Sequence, residues 1–541
     1  MKKILMFILL IIIGTLSGCV KNKVEPVLNY MNIETVELLI ETLPVPITED
    51  ERDQIKDIRS RYDKLNKEEQ ALVDNYFVLE NAESAIAAID AAKIEKERLN
   101  KAKLAKLEEI QLLIEAEIPD HVYDDFILPS SWDTEYGQAE IYWASSDPYT
   151  LSFPGIVIPG HNETPITLTA RMYIGDDVMH TFDMPVIVDP IQFDHLPIGN
   201  LVSVYSYNMA HGFNDKALKT IDIINHSFAY VNLDEGVVTT GTLQGQSELL
   251  QLRKKGVRVL LTIGGYNDGA LPWAVASKTK EGREKLAKSI VDAVVKLNYD
   301  GVDVDWEYPG YYSDANKIKY NITNETDREN YTLMMKELRS QLKAVSKDFI
   351  LSAAIPGGAS ISGFPLYRFD IKALTPVLDL FNIMTYDLDS TDRATHLTAL
   401  YSSSNTHNSH MSVFGSVDNY IALGGEEIRS KLVVGATFYG RKFSGTSGLG
   451  YTATARESIT YNSIKINYID KGYPELWDEV SHAPYIYDEA NRVFITYDNE
   501  RSMIEKAQYA KANGLAGMMV WEYSDDKSGN LINAIYEGMK S

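Results

Sequence analysis

The sequence predicts a multidomain chain in which a (β/α)8 TIM barrel follows a small three-helix module and an all-β sandwich. Three observations carry this. From about residue 195 to 541, short apolar runs alternate with helical patterns, the mark of repeated βα units around a parallel sheet. Residues 119–190 instead hold β-rich runs separated by Pro, Gly, Asp and Asn clusters. Residues 33–92 place apolar side chains at helical spacing.

A chain of 541 residues has room for two to four such domains. Its 45% hydrophobic and 24% charged residues are ordinary globular composition, against wholesale disorder or a multi-span membrane protein. The formal net charge of −24 repels phosphate backbones and argues against a nucleic-acid partner. A single cysteine rules out any intramolecular disulfide.

That cysteine sits where it carries information. Lys2 and Lys3 precede an apolar run, Ile4 to Ile13, which ends in Leu16-Ser17-Gly18-Cys19. The pattern reads as a secretory signal over residues 1–18 and resembles the lipobox of bacterial lipoproteins. That resemblance implies lipid on Cys19 and an extracytoplasmic body anchored at the cell membrane, with residues 19–32 as a tether.

In the helical module Val36, Leu39, Ile40 and Leu43 share a face, and Thr48 with Glu51 has capping-box spacing before a second helix carrying Ile55, Ile58, Tyr62 and Leu65. Ala82, Ala85, Ile86 and Ile89 mark a third helix, which runs on as a charged spacer over 93–118. The module is similar to those of wall-associated surface proteins, which implies cell-wall association. The segment Trp143-Ala-Ser-Ser-Asp-Pro, with Phe153-Pro-Gly, resembles bacterial immunoglobulin-like domains.

Eight barrel strands can be placed, at Leu201–Ser206, His226–Val231, Val257–Ile263, Gly301–Glu307, Phe349–Ile355, Leu380–Thr385, Leu432–Phe438 and Gly517–Trp521. In such barrels chemistry sits at the carboxyl ends of the strands. The fourth run reads Asp300-Gly-Val-Asp-Val-Asp-Trp-Glu-Tyr-Pro. Asp303, Asp305 and Glu307 alternate, so they share the interior face while Val302, Val304 and Trp306 face the helices. Carboxylates this close cannot all ionise, which suits the last to act as a general acid near neutral pH. A calcium loop would need an internal glycine and polar intervening residues, so neither metal nor cofactor is expected.

This run resembles the signature of glycoside hydrolase family 18, the chitinases and their relatives. Thr262-Ile-Gly264-Gly265, Met384-Thr-Tyr386-Asp387, Tyr439-Gly-Arg441 and Trp521-Glu resemble the family's other strand-end motifs, in family order over residues 195–541. The resemblance implies a retaining, substrate-assisted cleavage of a β-linked N-acetylglucosamine polymer, without an enzyme nucleophile. Glu307 would be the proton donor, Asp305 the partner of the acetamido N–H, Asp303 the group behind it, and Tyr386 a donor to the acetamido oxygen. Asp387, Met384 and Trp521 would bind sugar. Tyr205 and Phe228 would line the pocket or serve as core, and Gly264 and Gly265 would let the backbone approach closely. Arg441 would contact sugar hydroxyls or pair with the strand-four acids, Asp300 would complete the motif structurally, and Thr262 would keep a hydroxyl beside Asp303. The insertion at about 442–497 is shorter than the family's full inserted domain and implies a shallow cleft. The same acids also suit an endo-β-N-acetylglucosaminidase of N-glycans or a peptidoglycan glucosaminidase. An inactive carbohydrate-binding lectin is the reading from another class.

Overall fold

The computed structural model describes residues 30–540 apart from 208–211, 214, 267–268, 405–407 and 409, so Cys19 and the tether up to residue 29 lie outside the described residues, while residues 30–32, expected in the tether, begin the first helix. By contacts the described residues divide into two compact units, one holding those up to 118 with 129–142 and 170–182, and the other 119–128, 143–169 and those from 183 on.

In the first unit the helices Tyr30–Glu41, Arg52–Tyr62 and Tyr76–Glu117 bury Ile33, Val36, Ile40, Ile55, Ile58, Leu79 and Ile86 against one another. Thr48 and Glu51 form the capping box the sequence predicts, which satisfies backbone N–H groups that the helix start leaves open. The last helix runs 42 residues without a break, into the charged spacer. Among the described residues no helix is long and apolar enough to cross a membrane.

Residues 121–188 supply a five-stranded sheet and a separate two-stranded pair. The long strands Thr164–Ile174 and Val178–Val188 alternate buried and open positions, as a sheet with one covered face requires. The second full sheet of a sandwich is not among the described elements.

The barrel closes. Its strands are Leu201–Ser206, Ile223–Val231, Arg258–Gly264, Gly301–Asp305, Ile350–Pro356, Leu380–Met384, Leu432–Thr437 and Gly517–Trp521, all parallel. Each pairs with the next, and the first pairs with both the second and the eighth. Buried Val202, Val259, Val302, Leu351, Phe381 and Val434 belong to the large core on the helix side of the strands. Leu201, Tyr205, Leu260, Leu380 and Met519 form the separate interior cluster. The fourth strand ends at Asp305, two residues sooner than the sequence pattern suggests, so Glu307 stands on the loop just beyond it. Between the seventh and eighth strands the chain builds a five-stranded antiparallel sheet, from Tyr439–Ser444 to Val493–Thr496, with the helix Tyr461–Asn467.

Candidate active site

Every barrel-interior acid of the fourth strand is buried. Asp303 is fully enclosed and Asp305 is 5% exposed, while Val302, Val304 and Trp306 pack into the helix-side core. Trp306 lies against Trp273 and Tyr331, with ring centroids 5.7 and 5.6 Å away. The alternation read from the sequence therefore holds as far as the strand extends.

Asp303 accepts three hydrogen bonds. Ser352 on the fifth strand donates at 2.6 Å, Tyr205 on the first at 2.8 Å and Asn382 on the sixth at 3.0 Å. Burial pushes its pKa up and these three donors pull against that shift. The Thr262 hydroxyl is not among them: it is buried beside Asp303 in register but bonds no described group. Tyr205 is thus a partner of the acids as well as a core ring.

Asp305 has fewer partners. Burial, and then the charges of Glu307 and Asp303, push its pKa well above the usual carboxylate range. Its Oδ1 is buried and has no hydrogen-bond partner among the described residues. Glu307 is pushed up to about 7, chiefly by burial, while a hydrogen bond from the Tyr308 hydroxyl acts in the opposite sense. A carboxyl with that value keeps its proton in about half of the molecules at neutral pH, which suits a general acid.

The two glycines of the third strand's end are needed for this packing. Gly264 has φ +114°, and a Cβ there would stand 2.1 Å from the Asp305 carbonyl oxygen. Gly265, at φ +85°, donates its N–H to that same oxygen at 2.9 Å and would drive a Cβ to within 2.8 Å of the Phe228 ring. Only a residue without a side chain fits either place.

A cavity of about 320 Å³ opens over Asp305 and Glu307. Trp521, Phe228, Tyr386, Asp387, Met384 and Gly265 line it. The Trp521 ring is braced by Tyr205 at 5.7 Å and Phe228 at 5.6 Å. Tyr230, Tyr266, Tyr308 and Met411 also line the cavity and were not singled out in the sequence. Tyr439 comes from the inserted sheet, but no described residue of 442–497 reaches the wall.

One expected contact differs. Arg441 pairs with Asp387, which also accepts from the Tyr439 hydroxyl at 2.8 Å, and it approaches Asp389 at 3.7 Å. Its charge is thus taken up at the sixth strand, where Asp387 and Asp389 stand beyond the strand end, and not by the strand-four acids. Asp300, at the opposite end of the fourth strand, is apart from the acid stack. It is bound by Arg253 at 2.7 Å and by His161 at 2.9 Å, and Arg253 also donates to the Pro159 carbonyl at 2.6 Å. Burial favours a high pKa for Asp300, but the opposing Arg253 and His161 hold it below the usual range.

Known proteins are similar to this chain over the barrel. The family model described as Glycosyl hydrolases family 18 matches residues 201–526. Chitinase A1 of Niallia circulans is 28% identical over 320 residues, covering 54% of this chain and 44% of its own. Endochitinase 1 of Metarhizium robertsii is 28% identical over 296 residues, covering 52% of this chain and 65% of its own. The chain thus spans about half to two thirds of these relatives. The solved family 18 N-acetylglucosaminidase of Paenibacillus barengoltzii is 29% identical with a TM-score of 0.56, covering 63% of this chain and 99% of that one. The cell-surface chitinase ChiW of a Paenibacillus strain is 26% identical with a TM-score of 0.53, covering 70% of this chain and 47% of that one. With the matched region spanning the closed barrel and all of its strand-end motifs, the chain belongs to glycosyl hydrolase family 18.

Proposed function

We propose that the chain is a chitinase-like hydrolase that cleaves β-1,4-linked N-acetylglucosamine polymers or oligomers with retention of configuration. The observation that carries this is the placing of Glu307, whose pKa burial pushes up to about 7, two residues beyond a buried Asp305 oxygen that has no hydrogen-bond partner among the described residues.

In this reading Trp521 stacks on the apolar face of one pyranose and Asp305 accepts a hydrogen bond from its acetamido N–H. Glu307 gives its proton to the glycosidic oxygen. The acetamido oxygen forms a bond to the anomeric carbon as the carbon–oxygen bond to the departing sugar breaks. The resulting oxazolinium ion is opened by water, whose proton returns to Glu307. Tyr386 donates to the acetamido oxygen, Asp387 contacts the sugar's substituents, and Met384 lines the wall. Asp303, held by three donors, stabilises Asp305 from behind. Arg441 acts through Asp387. No step draws on a cofactor.

The test is to incubate wild type and Glu307→Gln with chito-oligosaccharides, a high-mannose glycoprotein and peptidoglycan. Cleavage of the first, lost in the variant, is the expected result; activity surviving in Glu307→Gln overturns the donor, and cleavage of the glycoprotein alone overturns the substrate. The Leu16-Ser17-Gly18-Cys19 pattern further supports lipid on Cys19 and an envelope-bound enzyme, with residues 33–190 reaching toward wall polymers. Cys19→Ala would then move the protein from membrane to soluble fractions; equal membrane retention would sink the lipid assignment.

A further inference from the structure

Two arginines of the inserted sheet face two aspartates of one loop. Arg441 is on the strand Tyr439–Ser444 and Arg456 on its neighbour, Ala455–Thr460. Arg441 lies opposite Ser458 in register, and Arg456 is two residues from Ser458, so both side chains leave the same face of the sheet. Asp387 and Asp389 are likewise two residues apart, on the loop after the sixth barrel strand. Asp387 lines the catalytic cavity and Asp389 does not.

The four charges alternate. Arg456 donates to both oxygens of Asp389, from Nε at 2.6 Å and from Nη2 at 2.9 Å. Such a two-pronged grip is among the strong ion pairs. Arg441 donates to Asp387 from Nη2, while its buried Nε, which has no hydrogen-bond partner among the described residues, stands 3.7 Å from Asp389. The Asp389 side chain is wholly buried, and a buried carboxylate stays charged only with a cation beside it. Burial pushes its pKa up; of the cations that oppose this, Arg456 acts first and Arg441 after it. Without Arg456, Arg441 is the one cation left beside Asp389 among the described residues, and any move toward it is a move away from Asp387.

We propose that Arg456 is a positioning residue for substrate binding: by occupying Asp389 it leaves Arg441 to Asp387, and so holds in place the carboxylate that meets the sugar. This rests on the hydrolase reading above, in which Asp387 contacts the sugar's substituents. Arg456 stands outside the cavity wall and acts through Asp389, Arg441 and Asp387 in turn. The effect falls on KM, because a contact made equally before and during the reaction changes binding and not turnover.

The experiment measures kcat and KM on the hexamer of N-acetylglucosamine for wild type, Arg456→Met, Arg456→Lys and the double variant Arg456→Met/Asp389→Asn. Arg456→Met should raise KM about tenfold, with kcat within about twofold of wild type. The double variant removes the carboxylate that competes for Arg441 and should bring KM back to within about threefold of wild type, whereas two purely structural losses would add. Arg456→Lys keeps a cation at Asp389 without the fork and should fall between wild type and Arg456→Met, which keeps the test open should Arg456→Met not fold. An unchanged KM in both single variants, or a double variant no better than Arg456→Met, overturns the relay alone. So does a fall in kcat that tracks a lowered thermal midpoint. Wild type that leaves the hexamer intact overturns the hydrolase reading and the relay with it.

Discussion

The Ser352 hydroxyl on the fifth barrel strand lies 2.6 Å from Asp303 Oδ1 on the fourth, directly opposite in register. With Tyr205 and Asn382 it brings three donors to a carboxyl that burial alone would drive toward its neutral form. Hydrogen bonds to charged groups are worth about 1.5–3 kcal/mol. Ser352→Ala is therefore expected to lower kcat by about tenfold with little change in KM, because Asp303 acts through Asp305 and touches no substrate. Thr262→Val, which removes a hydroxyl with no described partner, is expected to leave kcat within about twofold. Steady-state kinetics on a chito-oligosaccharide decide between them.

The proton on Glu307 sets the alkaline limb of activity. Its pKa is raised from 4.5 to about 7, so the acid form is lost as pH climbs through 7 and kcat/KM should fall above that point. The same shift has a stability consequence of definite sign. The folded state holds this proton more tightly than the unfolded chain, so stability present below pH 4.5 is lost as pH rises through about 7. Glu307→Gln removes that cost, on the order of 3 kcal/mol at alkaline pH. Denaturant midpoints at pH 5 and pH 9 should show the variant gaining on wild type only at the higher pH; a constant difference would refute the shift.

Gly264→Ala should destabilise the barrel by about 3 kcal/mol or more, because it adds a clash with the Asp305 carbonyl to a positive φ. Gly256→Ala serves as the contrast. It has φ +88° but open space around the new Cβ, and should cost about 1–2 kcal/mol. Urea unfolding of the two variants measures the difference.

Arg253→Met strands a buried carboxylate. Losing one member of a buried pair costs about 3–5 kcal/mol, since Asp300 then keeps only the His161 ring nitrogen at 2.9 Å and the Val259 N–H at 2.8 Å. The pair sits at the far end of the fourth strand from Glu307, so kcat at low temperature should stay near wild type. Adding Asp300→Asn should recover part of the lost stability, and a calorimetric melt reads both effects.

Much of the barrel was legible because buried parallel strands read as short apolar runs, and all eight were placed within a few residues. The acid stack was legible because a two-residue period survives in any strand. Ser352 and Asn382 were not. Each is a lone polar residue within an apolar strand, and only barrel closure and register bring both to the depth of Asp303. The partner of Arg441 depended on where the loop after the sixth strand turns, and Asp387 turns it through a left-handed backbone, φ +56°. The end of the fourth strand was overrun because Trp306 and Glu307 continue the alternation after the pairing has stopped.

His161 and Pro159 precede the barrel's first strand by some forty residues of sequence, yet they close the shell around Arg253 and Asp300. Asn298 reaches toward the same stretch, with its side-chain amide 3.2 Å from the Pro159 carbonyl. A gene fragment trimmed to start at residue 195 would carry all the chemistry and still be missing part of its own foundation. An expression boundary placed before residue 119 keeps His161 and Pro159 together with the Arg253–Asp300 pair that they enclose.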